Sequence, residues 1–538
     1  MRFPCGFGVA AVLAAVLSLP GAAGCQAPHS QELADERLQD PWFRAGREAV
    51  LRARQLTGEG GDRARNVILF VGDGMSVPTV TAARILEGQR RGESGEENLL
   101  AFERLPHIAL SKTYNTDRQV PDSAGTMTAM VSGVKTRYGV LGVDASVARG
   151  DHTGVAAGRV PTLLEEAEER GLATGVVTTT NLTHATPAAC YAHTPERNWE
   201  SDAALSQAAR AAGFPDIARQ LVEFDRGDGI EVMLGGGRAH FLPATAPDPE
   251  HPSLKGARRD GRDLTAEWRQ RYPDGAYVWN REQFAAADAE AAKQILGLFE
   301  PSHMRFEADR ASDPGGEPSL SEMTTRAIEI LSRNPRGFFL MVEGGRIDHG
   351  HHFNNAYRAL TDTIELSNAV RAALDKTDPR ETLIVVTADH GHTLSISGYP
   401  RRGNDILGLT ESPVEGPGLD ALGLPYTTLS YANGPGYTGA SSSEPEGSRR
   451  LPVGLPLLSR WPLGVQGITQ GRPDLSRVDT SDPLYMQEAT VPLFRETHAG
   501  EDVAIYAGGP GAALFHGVQE QSYIYHAMVE ALGWVSAP

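Results

Sequence analysis

The sequence predicts an α/β fold, with a large central, mostly parallel β-sheet flanked by helices on both faces. Two observations predict it. First, apolar runs of strand length recur along the chain, each ending in glycine or a polar cluster. They are "NVILFVGDG" (66–74), "ATGVVTTTN" (173–181), "IEVMLGGG" (230–237), "GFFLMVEGG" (337–345) and "TLIVVTADHG" (382–391). Continuous apolar runs suit strands buried on both faces, as in parallel sheets. Second, segments of helical period lie between them: "PTLLEEAEERG" (161–171), "SLSEMTTRAIEILSRN" (319–334) and "YRALTDTIELSNAVRAALDK" (357–376). Alternation of strand and helix places the helices over the faces of a parallel sheet.

At 538 residues, the chain is long enough for one large enzyme fold with insertions. Its formal net charge of -18 argues against nucleic acid as a partner, because a phosphate backbone needs a basic surface. Residues 1–24 read as a signal peptide. Arg2 starts it, and the apolar run Val9–Leu19 is too short to span a bilayer. The "GAAGC" that follows resembles a bacterial lipoprotein signal, with Cys25 as the lipidated N-terminus at the cell envelope or periplasm. Plain cleavage and secretion is the alternative. Residues 25–60 hold a polar tether and the amphipathic helix "PWFRAGREAVLRARQL" (41–56), which opens on proline. Residues 61–403 and 496–538 read as two parts of one catalytic domain. Residues 404–495, rich in Gly, Pro and Ser, interrupt it as an insertion of loops and short strands. Of Cys5, Cys25 and Cys190, only Cys190 stays unmodified in a lipidated mature chain, so no intramolecular disulfide is expected.

In open α/β sheets, ligands bind beyond the carboxyl ends of the strands. Those ends carry acids and histidines here. Asp73 follows the first run, and Glu343 ends the fourth, ahead of "GGRIDHGHH". Asp389 and His390 follow the fifth, and His498 lies in "ETHAGEDVAIYA". Asp348 and His352 are four apart, so on a helix they face the same way and suit one metal ion. Asp, Glu and His together suit zinc where histidine is present and magnesium where the donors are all oxygen. His351 and His392 read as surface residues or as neighbours of the ligands, and "GGGR" (235–238) as structural. Ser123, in "VPDSAGTMTA" (120–129), has no base beside it in sequence. Coordination to zinc would ionise it without one. The planar fork of Arg197 suits two oxygens of a phosphoryl group.

Taken together, "FVGDGMSVPTVTAARI", "VPDSAGTMTA", "VVTTTNLTHATPAACYAHTPERNWESD", "LSRNPRGFFLMVEGGRIDHGHH", "VVTADHGHT", "YANGPGY" and "ETHAGEDVAIYAGGPGAALFHGVQEQ" resemble the alkaline phosphatase family, closest to its animal-type branch. The resemblance implies a metal-dependent phosphomonoesterase acting through a phosphoserine on Ser123. It implies one zinc at Asp348, His352 and His498, and a second at Asp73, Asp389 and His390 with Ser123 as its reacting ligand. Magnesium is implied at Asp73, Thr186 and Glu343. Arg197 matches the phosphate-binding arginine and Asp122 the acid that holds it. His184 and His349 match the animal-type histidines flanking the site. The 404–495 insertion matches the crown of that branch in position, and homodimerisation is implied. A calcium ion is implied at Glu250, the Phe299 carbonyl, Glu300 and either Asp313 or Glu317. The partners expected are small phosphomonoesters and inorganic phosphate, with membrane contact through lipid only. The alternatives are a phosphodiesterase or sulfatase of the same superfamily, or a non-catalytic phosphate- or zinc-binding envelope lipoprotein.

Overall fold

The five apolar runs are the five contiguous central strands of one ten-stranded sheet. The structure is a computed structural model that describes residues 37, 39–57, 63–287, 292–414, 416–420, 423–439 and 472–534. The signal peptide, Cys25 and the middle of the 404–495 insertion lie outside the described residues. In chain order the strands are β1 (Asn66–Gly72), β2 (His107–Lys112), β3 (Ala173–Asn181), β4 (Val232–Gly236), β5 (Ala276–Val278), β6 (Ile295–Leu298), β7 (Phe338–Gly344), β8 (Thr382–Ala388), β9 (Val503–Gly508) and β10 (Val518–Glu520). Across the sheet they run β10–β2–β9–β8–β1–β7–β3–β4–β6–β5. β9 is antiparallel to both of its neighbours, and every other adjacent pair is parallel.

Burial explains which strands were legible. β1, β7 and β8 are buried along nearly their whole length. Within β1, Val67, Leu69 and Val71 join one hydrophobic cluster while Ile68 and Phe70 join the other, so both faces of the sheet are covered. The flanking strands carry weaker patterns. β2 is partly exposed, β5 has three residues and the edge strand β10 has no buried residue.

The helices that bear on the site are α1 (Pro41–Thr57), α2 (Val77–Arg90), α3 (Ser123–Ser132), α4 (Leu163–Glu169), α5 (Leu320–Leu331), α6 (Arg346–His352), α7 (Ala356–Lys376) and α8 (Tyr523–Ala531). α2, α5 and α7 pack on one face of the sheet, and α3, α4 and α8 on the other. Their starts are written in the sequence. Asp40 accepts the N–H groups of Trp42 and Phe43 ahead of Pro41. Thr162 with Glu165 and Ser319 with Glu322 form reciprocal capping boxes. The predicted helix at 161–171 is therefore trimmed to Leu163–Glu169. β9 and β10 place the C-terminal segment in the main sheet. The insertion contributes Leu429–Gly434, which pairs with Leu394–Ile396 on one side and Ala489–Pro492 on the other.

At the amino-terminal edge of the sheet, away from the strand ends that carry the site, two glutamates share one threonine. Thr174 donates its hydroxyl to the buried Glu168 and its backbone N–H to Glu231 at 2.7 Å. Burial, with Asp228 nearby, pushes the Glu168 carboxyl far above the usual range, and burial with Glu168 does the same to Glu231. A carboxyl raised in the folded state binds its proton more tightly folded than unfolded. Its contribution is intact in acid and is lost as pH rises from about 4.5 to about 8. Glu168→Gln should therefore flatten the fall in melting temperature across that window and leave the melting temperature at pH 4 little changed, measured by thermal unfolding at a series of pH values.

Candidate active site

The strand order β8–β1–β7–β3 brings four strand ends side by side. β8 leads into Asp389 and His390, β1 into Asp73, β7 carries Glu343 and leads into α6, and β3 leads toward His184 and Thr186. α6 supplies Asp348 and His352 from one face, and Asn354 at φ 53° then turns the chain into α7. Gly74, at φ +68°, makes the turn after Asp73. A Cβ there would lie 2.3 Å from the His392 ring, so only glycine fits.

Asp348, His352 and His498 converge. The Nε2 atoms of His352 and His498 lie 3.3 Å apart, and they lie 3.3 and 3.2 Å from Asp348 Oδ1. Ligands about 2.0 Å from a tetrahedral zinc are separated by about 3.3 Å, so these atoms fit a zinc ion. The tautomers agree. His352 Nδ1 donates to the Glu496 carbonyl at 2.6 Å and His498 Nδ1 to the Pro121 carbonyl at 2.8 Å, which leaves both Nε2 lone pairs facing Asp348. Burial works against the Asp348 carboxylate, but the histidines around it hold its carboxyl well below the usual range, and His392, whose Nε2 donates to Oδ1 at 2.8 Å, is the one that brings it a hydrogen.

A second set has the same spacing. His390 Nε2 lies 3.3 Å from Asp73 Oδ1, 3.3 Å from Asp389 Oδ2 and 3.2 Å from Ser123 Oγ. Ser123 Oγ is also 3.4 Å from Asp73 Oδ1. The serine that stood alone in sequence is the fourth corner of this set. Asp122 caps its helix, α3, by accepting from Gly125 N–H at 3.3 Å, which leaves Ser123 at the positive end of the helix.

Asp73, Thr186 and Glu343 fit the third ion. Glu343 Oε2 accepts from Thr178 and Thr180, whereas Glu343 Oε1 and Thr186 Oγ1 are buried with no hydrogen-bond partner. Buried oxygens left in this way suit a hard cation such as magnesium. Burial, then Asp389, Asp348 and Glu343, pushes the Asp73 carboxyl well above its usual range. Burial pushes Glu343 up to about 7. Acids packed this closely are compensated by bound cations.

Arg197 donates from Nη1 to Asp122 Oδ2 at 2.9 Å, and its Nη2 lies 3.2 Å from His184 Nε2. The remaining oxygen of Asp122 accepts from Gly125 and Gly139 N–H, so the acid is anchored on both sides. The His184 and His349 rings lie 5.8 Å apart, and His303 completes a triangle with them, 5.4 Å from His184 and 4.4 Å from His349. Sequence reasoning missed His303. It lies in "LFEPSHM", a stretch read only for calcium. His351 and His392 are both fully buried, which excludes the surface reading. His351 bridges Thr79 and Tyr431, and His392 bonds to Asp348.

Residues 64–454 and 457–534 match the family model described as alkaline phosphatase. The chain belongs to the alkaline phosphatase family. It is similar to the tissue-nonspecific isozyme of Gallus gallus, 45% identical over 93% of this chain and 91% of that protein. It is also similar to the alkaline phosphatase of Gadus morhua, 43% identical over 91% of this chain and 96% of that protein. Among solved structures, Thermus thermophilus alkaline phosphatase superposes with a TM-score of 0.60 at 27% identity, covering 90% of this chain and 94% of that chain. A mutant of TAB5 alkaline phosphatase solved with magnesium bound shares the fold, with a TM-score of 0.57 at 20% identity over 89% of this chain and 100% of that chain. The alkaline phosphatase family thus accounts for the sheet and its parallel central strands.

The acids implied for calcium also come together. Glu300, Asp313 and Glu317 have buried side chains, and Glu300 Oε2, both Asp313 oxygens and Glu317 Oε2 lack hydrogen-bond partners. Glu250 accepts from Arg238 at 3.0 Å and Gly315 N–H at 2.9 Å. Phe299 is buried just past β6. Both Asp313 and Glu317 reach the cluster, so the choice between them left open by the sequence stays open. Arg305 also enters it. Its Nε donates to Glu300 Oε1 at 2.9 Å and lies 3.5 Å from Asp313. Burial pushes Glu300 up to about 8 even with Arg305 beside it.

The Asp122–Arg197 pair gives a direct test. Asp122→Ala should raise the KM for a phosphomonoester and the inhibition constant of inorganic phosphate by about tenfold, the scale of one charge-assisted hydrogen bond, with a smaller change in kcat. Steady-state kinetics with product inhibition measures this.

Proposed function

We infer that this chain hydrolyses phosphomonoesters in two in-line displacements, with a phosphoserine on Ser123 between them. The observation that carries the reading is the placement of Ser123 Oγ within 3.5 Å of both His390 Nε2 and Asp73, next in sequence to the acid that anchors Arg197. Asp348, His352 and His498 would hold one zinc, Asp73, Asp389 and His390 the other, and Asp73, Thr186 and Glu343 magnesium. Bound there, the metals supply Lewis acidity and lower the proton affinity of hydroxyls and water.

The chain's own groups do the rest. Arg197 takes two phosphoryl oxygens in its fork, and Asp122 keeps that fork aimed. The N-terminus of α3 adds its positive dipole to the phosphoryl group carried by Ser123. In the first step the Oγ–P bond forms as the bond from phosphorus to the ester oxygen breaks, and the alcohol leaves. In the second, a water oxygen bonds to phosphorus as the Oγ–P bond breaks, and inorganic phosphate leaves. Arg197 engages the dianionic end of a monoester, which diesters lack. This favours the monoesterase reading over the phosphodiesterase and sulfatase readings, and a placed nucleophile argues against a pure binding protein.

The test compares p-nitrophenyl phosphate with its bis-ester, before and after exhaustive chelation. The monoester should turn over far faster, chelation should abolish turnover, and zinc with magnesium should restore it. Ser123→Ala should retain its metals and yield no acid-stable phosphoenzyme. A phosphoenzyme on another residue would overturn the assignment.

The fourth cluster supports a calcium reading. Calcium should raise the melting temperature of zinc-loaded enzyme, and Glu300→Gln should remove that shift while sparing turnover; equal shifts in both proteins would exclude the site. We further propose that Cys25 is the lipidated N-terminus and that the enzyme is a homodimer at the cell envelope. The "GAAGC" sequence supports the first. The 404–495 insertion, which matches in place the crown of the animal-type branch, supports the second. Mass spectrometry of native protein should find Cys25 first and carrying two acyl chains or more, which suffice for stable anchoring.

A further inference from the structure

Glu496 takes no part in the chemistry above, yet it is fully buried at 0% exposure, two residues before the ligand His498. A buried carboxylate is costly unless it is fully bonded. Its Oε1 accepts from the Thr393 N–H at 2.7 Å and the Thr393 hydroxyl at 2.6 Å, and its Oε2 accepts from His392 Nδ1 at 2.5 Å. His392 Nε2 then donates to Asp348 Oδ1 at 2.8 Å. With a carboxylate on each side, the His392 ring must present a hydrogen to both. The main chain of Glu496 acts on a second ligand. Its carbonyl accepts from His352 Nδ1 at 2.6 Å, and its N–H donates to the His352 carbonyl at 3.0 Å. Gly74 leaves the space that the His392 ring occupies. None of these bonds reaches Asp73, Asp389 or His390.

We propose that Glu496 is a positioning residue that sets the metal affinity of the Asp348–His352–His498 group selectively, with His392 as the link to Asp348. The inference rests on the zinc-dependent reading of the site. Glu496→Gln removes the charge that holds His392 between two carboxylates. His392→Gln cuts the link while leaving the bonds between Glu496 and Thr393 in place.

Zinc dissociation from the full chain is followed by competition with a chromogenic chelator for wild type, E496Q, H392Q and the double variant. Melting temperature and circular dichroism of the zinc-free proteins serve as the folding control. Partners of a ligand just outside the coordination sphere typically change metal affinity by about 10- to 100-fold. The expected result is that one zinc is weakened by about that factor in each single variant, while the other is released as in wild type. The double variant should be no weaker than the singles, because both act along one path. Excess zinc should restore turnover. Equal weakening of both zincs, unchanged release of both, or additive losses in the double variant would overturn the proposal. Should E496Q fail to fold, H392Q decides by the same criterion. A wild-type protein without two tight zincs or without monoesterase activity overturns the functional reading itself, an outcome distinct from any variant result.

Discussion

The site depends on one constraint, the mutual repulsion of carboxylates buried at neighbouring strand ends. Asp73, Glu343, Asp348 and Asp389 are all buried, and Asp73 has the other three among its nearest charges. A protein interior tolerates such a group only when cations or hydrogen-bond donors compensate it. Histidines compensate Asp348, and threonines compensate one oxygen of Glu343. What remains are donor atoms spaced for tetrahedral ions, and buried oxygens with no partner at all.

This constraint bears on where the acids and histidines sit. β1 lies between β7 and β8, so Asp73 has Glu343 on one side and Asp389 with His390 on the other. It can therefore serve two ion positions at once. The parallel direction of β8, β1, β7 and β3 puts all four carboxyl ends on the same edge, which an antiparallel sheet could not do. Two helices then bring in further parts. α6 follows β7 directly and delivers Asp348 and His352 four residues apart, and α3 carries Ser123 at its first turn.

Much of this was legible in the sequence because it follows local rules. The central strands showed as continuous apolar runs since both of their faces are buried. Asp348 and His352 showed as a pair through helical spacing, and Ser123 and Arg197 through the chemistry of their own groups, with their roles implied by the resemblance. The flanking strands were not legible, because half-exposed or three-residue strands carry little periodicity. His303, Arg305, His392 and Glu496 were missed or left open for a different reason. Nothing in their own segments distinguishes them, and their meaning comes entirely from what lies across from them.

The sequence by itself determined the α/β class, the strand ends that carry chemistry and the residue types at them, because burial and helical spacing act over a few residues. Only the tertiary structure decided which ends meet. Asp73, Ser123 and His390 are scattered over more than three hundred residues, yet they share one small volume. The strand order, which no local pattern encodes, sets that meeting. The tertiary fold also decided that His392 is a buried link to Asp348 and that Ser123 Oγ meets His390 and Asp73, which reach it from other strand ends.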